Sequence, residues 1–122
     1  MKPEMMTKRA DFQSMKNGVR LRGPFFLLAA KKNNLDVARV GYTVTKKQGN
    51  SVQRNRMKRR LRAIVHTEAI AFLAGLDYVF LASSDLLNAP HATLKSETSR
   101  RLADAGRKAL PSQIASQPDR NR

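Results

Sequence analysis

A long stretch of this chain is strongly basic and contains no acidic side chain. Between Val37 and Thr67 there are nine lysine and arginine residues and no carboxylate. In its second half the apolar residues recur every three or four positions, which predicts an amphipathic helix. A helix with so many like charges repels itself unless a polyanion lies against it. The fold must therefore bury one face of this helix and leave the other for a polyanionic partner.

The charge of the whole chain is unevenly distributed. The 122 residues carry a formal net charge of +15, and the pI of about 11.3 is typical of nucleic-acid-binding domains. Residues 1–62 hold 17 basic and 3 acidic side chains, whereas residues 63–122 hold 7 and 6. The first half of the chain is thus expected to carry the binding surface.

Several classes of protein are disfavoured by the residues that the sequence lacks. There is no cysteine, which excludes disulfides and cysteine-based zinc sites. No apolar run approaches the roughly 20 residues of a membrane span, and the first residues lack a signal-peptide core. No pattern of paired carboxylates, activated nucleophiles or metal ligands is present. We therefore expect a cytoplasmic protein with no catalytic residue, metal site or cofactor of its own and no membrane partner.

The residue patterns predict an α+β fold with the element order α-β-β-(β)-α-β-α, a small sheet with helices packed on it. Strands are predicted at Phe25–Ala30, Ala38–Val44 and Asp77–Ala82, with a further short strand at Val19–Arg22. Helices are predicted at Thr7–Asn17, from Asn50 or Ser51 to Gly75, and from Pro90 to Leu110.

The connections and the ends of the chain complete this organisation. Lys31–Asn34 is typical of a hairpin loop, which would make the first two main strands neighbours. Residues 1–111 are predicted to form a single nucleic-acid-binding domain. The polar residues 112–122 are predicted to be a disordered tail.

The strongest functional pattern is the basic face of the long helix. At about 100° per residue, Met57, Leu61 and Ile64 fall in one arc, with Arg54 and Arg60 at its border. The predicted nucleic-acid-binding residues comprise the polar side chains of this helix and a lysine pair before it: Lys46, Lys47, Arg54, Asn55, Arg56, Lys58, Arg59 and Arg62. Guanidinium groups suit phosphates, and the helix N-terminus adds a favourable dipole.

Residues 39–62 resemble the characteristic region of the bacterial ribonuclease P protein subunit. They contain a Val-Gly strand, a Lys-Lys pair, a Gly-Asn turn and an Arg-Asn-Arg motif opening a basic helix. Further similarity at Arg9–Phe12, Gly23–Phe26 and Asp77–Val79 extends the resemblance over roughly residues 8–110. A single Arg-Asn-Arg is a common tripeptide, whereas this ordered set is specific.

The resemblance implies both a partner and a role. The subunit of that family joins a catalytic RNA, and the complex removes the 5′ leader from precursor tRNA with Mg²⁺ that the RNA uses. The basic residues above would contact the catalytic RNA, and Phe12 and Leu27 would line a cleft for the leader. Lys16 and Ala29 stand where relatives often carry aromatic residues. A left-handed β-α-β crossover is also implied, although such connections are overwhelmingly right-handed.

Other nucleic-acid functions fit the sequence less well. A ribosomal or other structural-RNA-binding protein of similar α+β fold is the main alternative, and it would need no leader cleft. A protein-only nuclease would need carboxylates near the basic stretch, which has none. A helix-turn-helix DNA reader, and with it a DNA partner, is disfavoured because predicted strands flank the basic helix.

Overall fold

Five strands form one mixed sheet in the computed structural model, which describes residues 3–6, 12–13, 15 and 18–110. The strands are β1 (Glu4–Met5), β2 (Val19–Arg22), β3 (Phe26–Lys32), β4 (Arg39–Thr43) and β5 (Leu76–Ala82). Their order across the sheet is β1-β4-β5-β3-β2. The pairs β1/β4 and β4/β5 are parallel, and the pairs β3/β5 and β2/β3 are antiparallel.

Two long helices accompany the sheet, α1 (Ser51–Thr67) and α2 (His91–Ala109). Short 3₁₀ turns lie at Lys46–Gln48, Ala69–Ala71 and Ser84–Asn88. The predicted α+β class, the additional strand at Val19–Arg22 and the last helix are confirmed. Helix α1 connects the neighbouring parallel strands β4 and β5, so the β-α-β crossover is present. The left-handed sense of this crossover stays a prediction.

The main core lies between one face of the sheet and the two helices. Alternate residues of each strand point to this face, as the twofold period of a strand requires. The fully buried side chains come from the sheet, from both helices and from the turn before α2: Leu28, Leu76, Tyr78, Phe80, Met57, Leu61, Ile64, Leu86, Leu94, Thr98 and Leu102. The opposite face of the sheet carries a smaller apolar cluster, which includes Met6, Met15, Ala29 and Val79.

The predicted hairpin at Lys31–Asn34 is wrong. Strands β3 and β4 do not pair with each other, because β5 lies between them. Asp77 of β5 accepts hydrogen bonds from Asn33 at 2.8 Å and from Arg39 at 2.6–2.7 Å. These polar contacts tie the connection and β4 to the central strand. The two strands that are consecutive in sequence are therefore separated by the strand that follows α1.

The predicted end of the long helix at Gly75 is also wrong, since α1 ends at Thr67. After the turn at Ala69–Ala71, Phe72 is extended and buried, with its ring edge-on to Tyr78 at a centroid distance of 4.8 Å. The hydroxyl of Tyr78 accepts a hydrogen bond from the backbone N–H of Leu73 at 3.0 Å. The apolar period continues past the helix because Phe72 reaches the core from a non-helical backbone.

Some predictions fall partly or wholly on residues outside the described ranges. Phe12 and Gln13 are helical, but the predicted helix ends at Thr7 and Asn17 lie outside the described residues. The predicted tail, residues 112–122, also lies outside them. Across the described ranges, none of the helices combines the length and the apolar character needed to cross a bilayer.

Leu61→Ala tests the burial of α1. Leu61 is 0 % exposed, so we expect the free energy of unfolding to fall by about 2–5 kcal/mol through lost burial and a residual cavity. Val52→Ala is the matched control on the same helix, because Val52 is 74 % exposed and should change stability by less than about 0.5 kcal/mol. Urea denaturation measures both. Equal stability of the two variants would contradict the assigned faces of α1.

Candidate nucleic-acid interface

The start of α1 is fixed by a reciprocal cap. The side chain of Asn50 accepts a hydrogen bond from the backbone N–H of Gln53, and the side chain of Gln53 accepts one from that of Asn50, both at 2.9 Å. Gly49 has a φ of 153°, and a Cβ there would lie 2.5 Å from the Gln53 side chain. The Gly-Asn pair therefore determines where the helix begins and which way each later side chain points.

With the helix start fixed, α1 has one apolar face and one cationic face. Met57, Leu61, Ile64 and Val65 are buried in the core. Away from them the predicted binding residues reach solvent: Asn55, Arg56, Arg59 and Arg62 are exposed, and Arg54 and Lys58, nearer the border of the apolar face, are half-buried. We call this set of six side chains the basic face. Among the described residues, none of its five cations forms an ion pair with a carboxylate.

The lysine pair lies directly before this face. Lys46 and Lys47 are exposed in the 3₁₀ turn, which packs against α1. Gln48 anchors the turn, because its side-chain oxygen accepts a hydrogen bond from the backbone N–H of Ser84 at 2.8 Å. The structure thus brings all eight predicted RNA-binding residues onto α1 and the turn that precedes it.

Arg60 differs from the other arginines of α1. Its guanidinium donates hydrogen bonds to three carbonyl oxygens, those of Leu86 at 2.6 Å, Leu87 at 3.1 Å and Ala89 at 2.5 Å. These carbonyls belong to the connection between β5 and α2, including the C-terminal end of its 3₁₀ turn, where a cation is favourable. Arg60 is therefore a structural residue that joins α1 to this connection.

Tyr42 lies beneath the basic face, close to Arg62. Burial raises the pKa of Tyr42 to about 12, and the nearby charge of Arg62 opposes part of that rise. The phenol is consequently neutral at physiological pH. Tyr42 does not neutralise Arg62, whose charge remains available to a ligand.

A separate cleft opens on the face of the sheet opposite α1. It has a volume of about 170 Å³, and its lining comprises Phe12, Met15, Arg20, Leu27, Ala29, Thr43, Val79 and Leu81. The predicted cleft residues Phe12 and Leu27 are both half-buried there. The ring of Phe12 lies on Gly41, where a Cβ would come within 2.5 Å of it. Phe12 thus packs on β4 and also presents part of its ring to the cleft.

Two arginines of β2, at or near this cleft, were not predicted from the sequence as binding residues. Arg20 and Arg22 are exposed on β2, on either side of the buried Leu21. Arg20 lines the cleft beside Leu27. The alternation Val-Arg-Leu-Arg was the available signal, since a period of two places both arginines on the face away from the main core.

The described residues contain no cluster of three or more His, Cys, Asp or Glu side chains that could hold a metal ion. Asp77, the buried carboxylate of β5, is held by Arg39 and Asn33. The candidate interface is consequently defined by cations, hydrogen-bond donors and one apolar cleft.

Comparison with known families identifies this arrangement. The family model described as Ribonuclease P matches residues 1–106. The chain belongs to the ribonuclease P protein family. This assignment favours the ribonuclease P interpretation over the ribosomal-protein alternative. The chain is the protein component of an endoribonuclease complex that works with an RNA subunit in tRNA 5′ processing.

Individual relatives agree in sequence and in structure. The chain is 49% identical over 110 residues to the ribonuclease P protein component of Bartonella quintana, covering 82% of this chain and 81% of the relative. It is 41% identical over 111 residues to that of Brucella melitensis biotype 1, covering 83% and 79%. The ribonuclease P protein structure from Thermotoga maritima superposes with a TM-score of 0.74 at 26% identity, covering 83% and 96%.

Arg60→Met tests the distinction between structural and binding arginines on α1. The substitution retains an apolar stem but removes the three hydrogen bonds to carbonyls. We expect a loss of about 1.5–3 kcal/mol in the free energy of unfolding, as for hydrogen bonds to a charged group. The neighbouring Arg59→Met is the control, because Arg59 is exposed and should change stability by less than about 0.5 kcal/mol. Chemical denaturation in which Arg60→Met was no less stable than Arg59→Met would contradict the structural role.

Proposed function

We propose that the basic face of α1, together with Lys46 and Lys47, binds the catalytic RNA of ribonuclease P. The single observation that carries this proposal is the row of cations along one helix face without carboxylate partners among the described residues. Such a row suits a phosphate backbone, whose binding releases condensed counterions. Asn55 lies within the row and offers both a donor and an acceptor to sugar or base edges.

We further propose that the cleft on the opposite sheet face holds the 5′ leader of precursor tRNA. Proteins that bind single strands combine basic side chains with rings on which bases stack. The cleft offers Arg20, the partly exposed ring of Phe12 and the apolar side chain of Leu27. One protein would thus contact catalytic RNA on one surface and substrate on another.

In this proposal the chemistry of cleavage belongs to the RNA and the Mg²⁺ ions that it holds, in the cytoplasm. The protein supplies fixed positive charge, which screens the repulsion between the phosphates of catalytic RNA and substrate. Its second contribution is to position the leader. The family resemblance supports this division of labour, and so does a candidate interface composed of cations rather than paired carboxylates.

Arg54→Ala and Arg56→Ala test the first part of the proposal. Each variant should weaken binding to the cognate catalytic RNA, because each removes a cation from the basic face. If each arginine contacts a phosphate, the slope of log affinity against log salt should become shallower by somewhat less than one unit. Filter binding over a series of salt concentrations measures both quantities.

Lys95→Ala is the matched control for these variants. Lys95 is an exposed cation on α2 rather than on α1, so its loss should leave the affinity nearly unchanged. The thermal transition of all three variants should stay close to that of the parent. Parental RNA affinity in both arginine variants would place the RNA interface elsewhere on the molecule.

Phe12→Ala tests the leader cleft in the complex assembled with the catalytic RNA. Stacking of a base on an aromatic ring is worth about 1–3 kcal/mol by alanine substitution. The affinity for precursor tRNA should fall accordingly, while the affinity for mature tRNA, which has no leader, should hardly change. Equilibrium binding of both RNAs provides the measurement.

Phe12 also packs on Gly41, so its variant needs a control for folding. The thermal transition is measured for the free protein, and only a variant folded at the assay temperature is interpreted. A folded variant that prefers precursor over mature tRNA as strongly as the parent would show that Phe12 does not stack on the leader.

A further inference from the structure

A second cleft continues from the first one along the sheet. It has a volume of about 370 Å³ and lies between the end of β2, the end of β5 and the turn before α1. Arg20, Leu27 and Leu81 line both clefts. The two cavities are therefore parts of one groove, which runs from Phe12 towards the turn that carries Lys46 and Lys47.

The charge of this second cleft is positive. Arg20 and Arg22 both line it, both are exposed, and neither forms an ion pair within the described part of the chain. The rest of its described lining, which includes Thr45, Gln48 and Leu81, contains no carboxylate. Because β2 is an edge strand, its two arginines stand along the outer rim of the groove.

The floor and inner wall of the cleft differ in character from this rim. Leu27 and Leu81 form an apolar floor, and Leu81 is 40 % exposed although it lies on the central strand. On the wall, the hydroxyl oxygen of Ser83 is shielded from solvent and has no hydrogen-bond partner among the described residues. Because that oxygen is closed off from solvent, it adds no donor to the cleft surface, and the charge of the cleft comes from the two arginines of β2.

We propose that this second cleft extends the leader-binding site and holds the phosphate backbone of the leader through Arg20 and Arg22. The inference rests on the proposed function of the first cleft. A cationic rim above an aliphatic floor suits a single strand, whose phosphates face the arginines while its bases cover Leu27 and Leu81. Leader binding in this chain then depends on backbone charge more than on stacking, and it is tolerant of leader sequence.

The experiment uses the complex of the full chain with its catalytic RNA. Binding is measured for precursor tRNA with a long leader, for the same precursor with the leader cut to one nucleotide, and for mature tRNA. Arg20→Gln and Arg22→Gln should each weaken binding of the long-leader precursor by up to about fivefold, the upper range for one exposed ion pair. Each should also make the salt slope shallower by about 0.7, as expected for a contact to a single strand.

Three comparisons make the result specific. Arg100→Gln removes another exposed cation, one that pairs with Glu97 on α2 on the other side of the sheet, and should leave leader binding unchanged. Arg20→Lys and Arg22→Lys should recover most of the affinity, because they restore the charge. Neutral methylphosphonate linkages in the leader should lower the affinity of the parent complex for the precursor. They should hardly lower it further in the double variant Arg20→Gln, Arg22→Gln, which has already lost the two cations.

The possible outcomes separate this inference from the proposal beneath it. If the parent prefers precursor over mature tRNA and the glutamine variants retain the full preference, the inference is overturned and the leader cleft stands. If the glutamine variants weaken the binding of mature tRNA as much as that of precursor tRNA, the inference is also overturned, because the arginines would then contact the tRNA body. Failure of the parent itself to prefer precursor over mature tRNA would instead contradict the leader cleft.

Discussion

The burial of one face of α1 against the sheet is the interaction on which the rest of the structure depends. Met57, Leu61 and Ile64 are almost completely buried, and their removal from water must offset the repulsion among the arginines on the other side of the helix. The Asn50–Gln53 cap fixes the residue at which the helix begins, and the burial of its apolar residues determines which face turns to the sheet. Because α1 also joins β4 to β5, the same burial holds the parallel centre of the sheet together.

Both proposed binding surfaces follow from this arrangement. α1 covers one face of the sheet and presents cations outward, which leaves the opposite face for the groove between Phe12 and the turn at Lys46–Gln48. The bond between Gln48 and the backbone N–H of Ser84 holds that turn where the basic face and the groove approach each other. The guanidinium of Arg60 holds the same β5–α2 connection by donating hydrogen bonds to the carbonyl oxygens of that connection. One hydrogen-bonded region thus connects the surface proposed for catalytic RNA with the surface proposed for the leader.

The sequence predicted the parts of the fold that depend on local pattern. The helical period separated Leu61 from Arg59, and the short strand at Val19–Arg22 was correctly predicted. The strand order was predicted wrongly. Lys31–Asn34 is typical of a hairpin, and the pairing of strands that are distant in sequence leaves no local signal. One clue was available, since the almost wholly buried β5 had to lie centrally in the sheet. Strand β1, with two residues, is too short to show a pattern. Arg20 and Arg22 were not predicted as binding residues because the alternation of the strand, which places both on the same face, was not applied to them.

The central proposal is that this chain is a cationic, non-catalytic partner of an RNA enzyme. Its most direct test is the rate of precursor tRNA cleavage as a function of Mg²⁺ concentration, measured for the cognate catalytic RNA alone, the protein alone and the two together. We expect no cleavage by the protein alone, and a lower Mg²⁺ requirement for the complex than for the RNA alone, since fixed cations replace part of the ionic screening. Cleavage by stringently purified, RNA-free protein, or a Mg²⁺ requirement unchanged by the protein, would contradict the account.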